Sequence, residues 1–423
     1  MPTELTTSSR ILIAGGGTWA VSTALHLARR GYIDVTIFDT YPIPSPISAG
    51  SFLEDEDDIS MILLNKATEG WLYDPIFKPY YHPTGYIVAA DTPAALEQVE
   101  KRETPNSQIG FVTLNTAEEF RKTMPPGVLT GDFPGWKGVF KSSGAGWVHA
   151  RKAIESAAKE AERLGVKFIT GSPKGFVTSL IFEDGDVLGV KTADGKEHRG
   201  DRTILAAGAG ADALFDFKDQ LRPTAWTLGH IKMSEDEITL YRSLSVLFNI
   251  EKGFFMEPDE DNHELKICDE HPGYCNWVPG SNGKTRSIPF AKQQIPVDSA
   301  KRIQQFLLET MPHLADRPLS FARICWCADT PDRAFLIDKP PGFASLTLAV
   351  GASRHGFMHI TSVGGFVVDS MEGKLDPRLK SAFRWRPETA VNRNWKDLQG
   401  RFGGPNKIMD FQDVKEWTNL PIR

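Results

Sequence analysis

The sequence predicts an α/β protein: a doubly wound, dinucleotide-binding parallel sheet that carries an inserted, mainly antiparallel β-sheet domain. Three observations carry that prediction. The stretch from Ile11 to Asp39 reads as strand, glycine turn, helix, strand and acid, in that order. A second apolar run, Thr203 to Leu205, ends in the small residues Ala206-Ala207-Gly208-Ala209-Gly210. Between Pro223 and Arg323 the texture changes to short apolar runs set between polar turns, as antiparallel strands require. At 423 residues the chain is too long for one ordinary core, so two interleaved domains are expected.

The opening fingerprint is a G-x-G-x-x-A turn built from Gly15, Gly17 and Ala20. It lets the backbone bend tightly and approach a pyrophosphate, while the following helix offers free N–H groups and the positive end of its dipole. Asp39 ends the second strand, 24 residues after Gly15, where a carboxylate can accept hydrogen bonds from a ribose.

Composition narrows the function. With 41% hydrophobic and 24% charged residues the chain is globular, and its net charge of −6 argues against a nucleic acid or an anionic membrane as partner. No apolar run approaches the roughly 18 residues of a membrane span, and Met1 to Arg10 lacks the apolar centre of a signal peptide, so an intracellular location is expected. The four cysteines, Cys268, Cys275, Cys325 and Cys327, match neither a zinc spacing nor a disulfide scaffold, and no metal is expected.

The remaining elements follow in chain order. Tyr41 to Gly50 is a proline-rich loop whose small end residues, Ser45, Ser48, Ala49 and Gly50, could approach a cofactor. The acid run Glu54 to Asp58 suits the start of a helix running from about Ile59 to Trp71. A strand at Gly85 to Ala90 and a helix at Thr92 to Arg102 come next, then a helix from Ala150 to Leu164 with Ala153, Ile154, Ala157, Ala161 and Leu164 at core spacing. Val166 to Thr170 would extend the nucleotide sheet, and Phe176 to Phe182 with Val187 to Thr192 make a strand pair turning at Asp184-Gly185. The acidic end of the second strand, the strand at Val177 and the Ala207-Gly208 strand end together resemble the FAD-binding Rossmann domain of the glutathione-reductase type. That likeness favours FAD over a nicotinamide cofactor.

Ala225 to Ile231, Ser245 to Ile250, Gly253 to Glu257 and Glu264 to Cys268 suggest the strands of the inserted domain, and Ala300 to Met311 a helix stopped by Pro312. Leu346 to Gly351 returns to a strand and glycine turn, and a helix follows from Ser362 to Glu372. Its N-terminus could serve a flavin's pyrimidine carbonyls. The expected organisation is a cofactor domain made of 1–90, 141–220 and 324–423, its tail reaching over the active site, and a substrate domain made of 91–140 and 221–323.

At Arg323 to Thr330, Phe335 to Asp338, Asp132 to Gly138, Lys266 to Gly273 and Gly400 to Asn406, the chain resembles the fungal fructosyl amino acid oxidases, or amadoriases, of the sarcosine-oxidase-like flavoenzymes. The resemblance runs nearly end to end and includes Thr18 and Trp19 inside the fingerprint. It implies oxidation of the C–N bond of a glycated amino acid to an imine, hydrolysis to the amino acid and glucosone, and reduction of O2 to H2O2. It further implies FAD tethered through a thioether to Cys325, oxygen activation by Lys266, substrate contacts from Glu270 and Arg401, and Trp226 as a pocket wall. Gly351 and Met358 would also border the cofactor.

Two departures stand out. Ser51-Phe52-Leu53 leads directly into the acid run, where the family continues with Asn-Asp-Val-Asn-Lys. Met358 stands where the family carries a substrate-side lysine. Losing both cations would change which amine is accepted, so an oxidase of another secondary amine, or a flavoprotein that binds such ligands without turnover, are the alternative readings. The resemblance also suggests a monomer in the cytoplasm or peroxisome. Many family members end in a peroxisomal tripeptide, and this sequence ends Pro421-Ile422-Arg423.

Overall fold

The computed structural model describes residues 4–44, 58–97, 99, 111–259, 261–279, 285–391 and 408–421. The chain divides into two compact units. The first is Met1–Tyr81, Ala150–Pro223 and Cys327–Arg393, and the second is His82–His149, Thr224–Trp326 and Asn394–Arg423.

The core of the first unit is a parallel sheet of five strands in the order Leu346–Leu348, Arg202–Leu205, β1 (Arg10–Ala14), β2 (Asp34–Asp39) and Lys167–Thr170. Strands covered on both faces need apolar residues at every position, and Ile11 to Ala14 are all buried. Helix α1 (Thr18–Arg29) connects β1 to β2 and packs against the helices Val363–Glu372 and Ala150–Arg163. The first of these contacts is very close. A Cβ on Gly364 would lie 2.3 Å from the Ser22 backbone, and the Gly364 N–H donates to Ser22 Oγ at 2.9 Å. Ala153, Ile154, Ala157 and Ala161 are buried on one stripe of the Ala150–Arg163 helix, as the sequence spacing requires. The strands Val177–Glu183 and Asp186–Thr192 form the expected hairpin, and Asp184 and Gly185 take the positive φ values, 51° and 78°, that a tight turn needs.

The second unit is built on a larger sheet in the order Leu319–Asp329, Arg222–Lys232, Glu264–Cys275, Gly253–Asp259, Val246–Asn249, Tyr86–Ala90, Lys137–Lys141 and Phe111–Leu114. One strand decides how this sheet is used. Within Glu264–Cys275, Leu265 and Ile267 enter a core with Ile231, Phe255 and the helix residues Ile303, Phe306 and Leu307. Side chains alternate across a strand, so Glu264, Lys266, Cys268 and Glu270 occupy the opposite face. Asp269 falls on the helix side, where Arg302 grips it with Nε at 3.1 Å and a terminal nitrogen at 2.8 Å.

Unit boundaries differ from the sequence expectation. Tyr86–Ala90 belongs to the second unit, not to the cofactor domain, because it pairs with Val246–Asn249 and with Lys137–Lys141. Cys325 also falls in the second unit, on a strand of its sheet. So does the chain from Asn394, where Met409 and Asp410 pair with Tyr274 and Cys275, and Phe411 stacks on Tyr274 at 4.7 Å. No helix among the described residues is long and apolar enough to cross a membrane.

Candidate active site

The residues singled out in the sequence form two groups, one in each unit. In the first unit they gather at the carboxyl end of β1. Gly15 takes φ +108°, donates its N–H to Phe38 O at 2.8 Å, and leaves no room for a side chain, since a Cβ would sit 2.5 Å from Ala206 O. This draws the end of β1 against Ala206 and Ala207. Gly17 caps α1 with no side chain filling the cap and no acid in the first turn, and a Cβ there would meet nothing within 4 Å. The helix N-terminus therefore opens onto free space, with Thr18 part-exposed beside it. Gly208, with φ +53°, is open in the same way. Asp39 accepts from Gly16 N at 2.6 Å and Tyr41 N at 2.8 Å. Burial pushes its carboxyl pKa up, against those two backbone bonds. An open glycine cradle on a helix dipole with a fixed acid opposite fits the pyrophosphate and ribose of FAD.

Other predicted residues here have structural work. Val177 is buried in the core with Phe38 and Leu205, so only its backbone can face a cofactor. Gly351, at φ +81°, fits tightly against Thr330 and Leu336. Trp19 is buried against Phe335, 4.7 Å between rings, and its indole donates to Gly356 O at 3.1 Å. Met358 is only 3% exposed, and its carbonyl accepts from the Trp71 indole at 2.7 Å, Trp71 lying on α2 (Asp58–Tyr73). Thr361 completes the series, its carbonyl 3.1 Å from His26 Nε2 and its hydroxyl donating to Ala67 O at 3.0 Å. The segment from Gly356 to Thr361 is thus tied at intervals to α1 and α2.

Sequence reasoning passed over His355 and His359 in this segment. His359 is 2% exposed, and neither ring nitrogen makes a hydrogen bond of good geometry among the described residues, although the Leu63 backbone lies alongside. Burial lowers its pKa to about 4. His355 is lowered to about 4 as well, by burial and then by His359.

In the second unit the alternation already described brings Lys266 and Glu270 to one sheet face, each 5% exposed. The Trp226 indole donates to Glu270 O at 3.1 Å, so Trp226 is fixed to the same strand. Cys325 is part-exposed on the strand Leu319–Asp329. Cys268 joins these groups: burial first of all pushes its thiol pKa up to about 12, and it feels the charges of Lys266, Cys325, Glu270 and Arg323. Cys268 is therefore an inert thiol, whereas Cys325, like Cys327, is part-exposed.

Three residues on this face, Arg323, His230 and Glu264, were not singled out from the sequence. Arg323 is buried at 5% exposure, two residues before Cys325 on its strand. His230 is the cross-strand partner of Lys266, and its Nδ1 lies 3.0 Å from Glu264 Oε2. The available signal was the period of two in His230-Ile231-Lys232, Glu264 to Glu270 and Arg323 to Cys325. Ser45, Ser48, Ala49, Gly50 and Arg401 lie outside the described residues.

Fold, fingerprint and charged sheet face define a flavin-dependent oxidoreductase, and the chain belongs to the FAD dependent oxidoreductase family, whose sequence model matches residues 10–370. Within that family its likeness is to the amadoriases. It is 58% identical to the crystal structure of fructosyl amine:oxygen oxidoreductase, amadoriase I, from Aspergillus fumigatus, covering 99% of both chains with a TM-score of 0.95. To fructosamine oxidase, amadoriase II, of the same organism it is 54% identical, again with 99% of both chains and a TM-score of 0.95. A more distant curated relative is L-saccharopine oxidase of Schizosaccharomyces pombe, 26% identical over 96% of this chain and 99% of the relative.

Proposed function

We propose that this protein is an FAD-dependent oxidase of fructosyl amino acids. The observation that carries the reading is the 58% identity to an amadoriase over 99% of both chains. Bound FAD would supply the redox chemistry: loss of a hydride from the carbon beside the substrate's secondary amine, and of the amine proton, leaves an imine, and the same two electrons with two protons reduce O2 to H2O2. Water then splits the imine into the amino acid and glucosone.

Each residue has a part in this reading. The open N-terminus of α1 and Asp39 hold the pyrophosphate and ribose. Cys325, one of two part-exposed thiols, forms the covalent tether, as the family resemblance implies. Lys266, a cation held inside the protein, stabilises the negative charge that develops on oxygen during its reduction. Glu270 and Arg401 contact the substrate, the arginine gripping a carboxylate by its paired N–H groups. Met358 brings no charge to that contact, and the amine accepted differs accordingly. The protein works as a monomer in the cytoplasm or peroxisome.

The direct test is H2O2 release with fructosyl-valine or fructosyl-lysine. Absence of flavin bleaching by both under anaerobic conditions would refute the assignment, and bleaching by other N-alkyl amino acids alone would redirect it to another secondary amine.

A further inference from the structure

Glu264 is 1% exposed, yet it lies on the sheet face that carries Lys266, two residues along the same strand. Its carboxylate is fixed from three sides. His230 Nδ1 approaches Oε2 at 3.0 Å, the Ser320 hydroxyl donates to Oε1 at 2.8 Å, and Lys232 Nζ lies 3.3 Å from Oε1. A carboxylate can only accept, so the His230 proton sits on Nδ1. His230 stands directly opposite Lys266 in the strand register and feels the charges of both Lys266 and Glu264.

The charges on this face fall into balance. Burial lowers the His230 pKa, with Lys266 and Arg323 pushing the same way, so the imidazole is a neutral donor and not a counter-ion. Lys232 is a cation, but its side chain is 61% exposed and screened by water. Two buried cations, Lys266 and Arg323, share this face with Glu264 and Glu270, and the Cys268 thiol feels both cations together with Cys325 and Glu270. A buried ion persists only beside opposite charge and fixed dipoles.

We propose that Glu264, held by His230 and Ser320, is the positioning residue that keeps the Lys266 ammonium in its working place. The proposal rests on the reading of Lys266 as the oxygen-activating residue, and the two can fail separately. Acting through the Lys266 ammonium, Glu264 affects the reoxidation half of the reaction and not flavin reduction.

The experiment is rapid mixing of Glu264→Gln, with reduction by fructosyl-valine and reoxidation by O2 followed separately. Gln keeps the shape and removes the charge. The expected result is unchanged flavin content, a reduction rate within about twofold of the parent, and reoxidation slowed about tenfold or more, as loss of a preorganised charge predicts. Glu264→Asp, which restores the charge, should recover part of the loss. Should Glu264→Gln fail to fold, His230→Leu keeps the carboxylate but removes its donor, and must slow reoxidation selectively as well. Unchanged reoxidation, or an equal fall in both rates, overturns the proposal. Lys266→Met serves as the reference. If it slows reoxidation and Glu264→Gln does not, Glu264 alone is excluded; if Lys266→Met leaves reoxidation unchanged, the lysine reading falls and Glu264 with it.

Discussion

Acidification should destabilise this protein through His359 in a way that one substitution removes. The imidazole is 2% exposed, and its pKa falls from 6.5 to about 4 because burial disfavours the charged ring. An unfolded chain takes up this proton near pH 6.5, while the folded protein resists it until about pH 4. Stability from the neutral ring is thus complete above pH 6.5 and drains away as the pH falls towards 4. Each pH unit in that window costs about 1.4 kcal/mol, so the whole shift is worth about 3 kcal/mol, and at pH 5 about 2 kcal/mol has been lost. His355, also lowered to about 4 by burial and then by His359, pulls in the same direction. The assay is urea unfolding of the parent and of His359→Gln at pH 7.5 and pH 5. Between those values the parent should lose about 2 kcal/mol more than the variant, whose amide does not titrate in this range. Equal losses in the two proteins would show that His359 does not hold a depressed pKa.

Two further outcomes are expected. In acid-precipitated protein the flavin should stay with the polypeptide in the parent and in Cys268→Ser, and wash out in Cys325→Ser; flavin washing out of the parent would dispose of the tether. Arg302→Met should cost about 3 to 5 kcal/mol in unfolding free energy, because it strands the Asp269 carboxylate inside the protein. Asp269 is 1% exposed and its Arg302 partner also donates to Tyr274 Oη at 2.9 Å. The double variant Arg302→Met with Asp269→Asn should recover part of that loss, and a single-variant cost below about 1 kcal/mol would mean the pair is solvated.

What could be read from the sequence is what depends on near neighbours in the chain. The Gly15 to Asp39 unit is local, its turn, helix start and acid all set by spacing, and it appears at the ends of β1 and β2. The Ala150 helix and the Asp184-Gly185 turn are of the same kind. Pairing between distant strands is not written in any spacing. Tyr86–Ala90 is a plain apolar strand, and nothing in it announces Val246–Asn249 as its parallel partner, which is why it was assigned to the wrong unit. The same limit hid His230 and Arg323. Each is an ordinary polar residue until cross-strand register sets it beside Lys266, and register is a property of two segments at once. Residue types with strong chemistry, Lys266, Glu270 and Cys325, came through the family resemblance, and their shared face became visible only with the alternation of Leu265 and Ile267 into the core.

The segment from Gly356 to Thr361 holds its course without help from the side chain at its centre. Its ties run from Trp19, Trp71 and His26 to main-chain oxygens, at Gly356, Met358 and Thr361. A carbonyl is present whatever residue occupies the position, so the path of the chain does not depend on the side chain at 358. Anchoring by main chain leaves position 358 able to change its side chain while the backbone stays where it is.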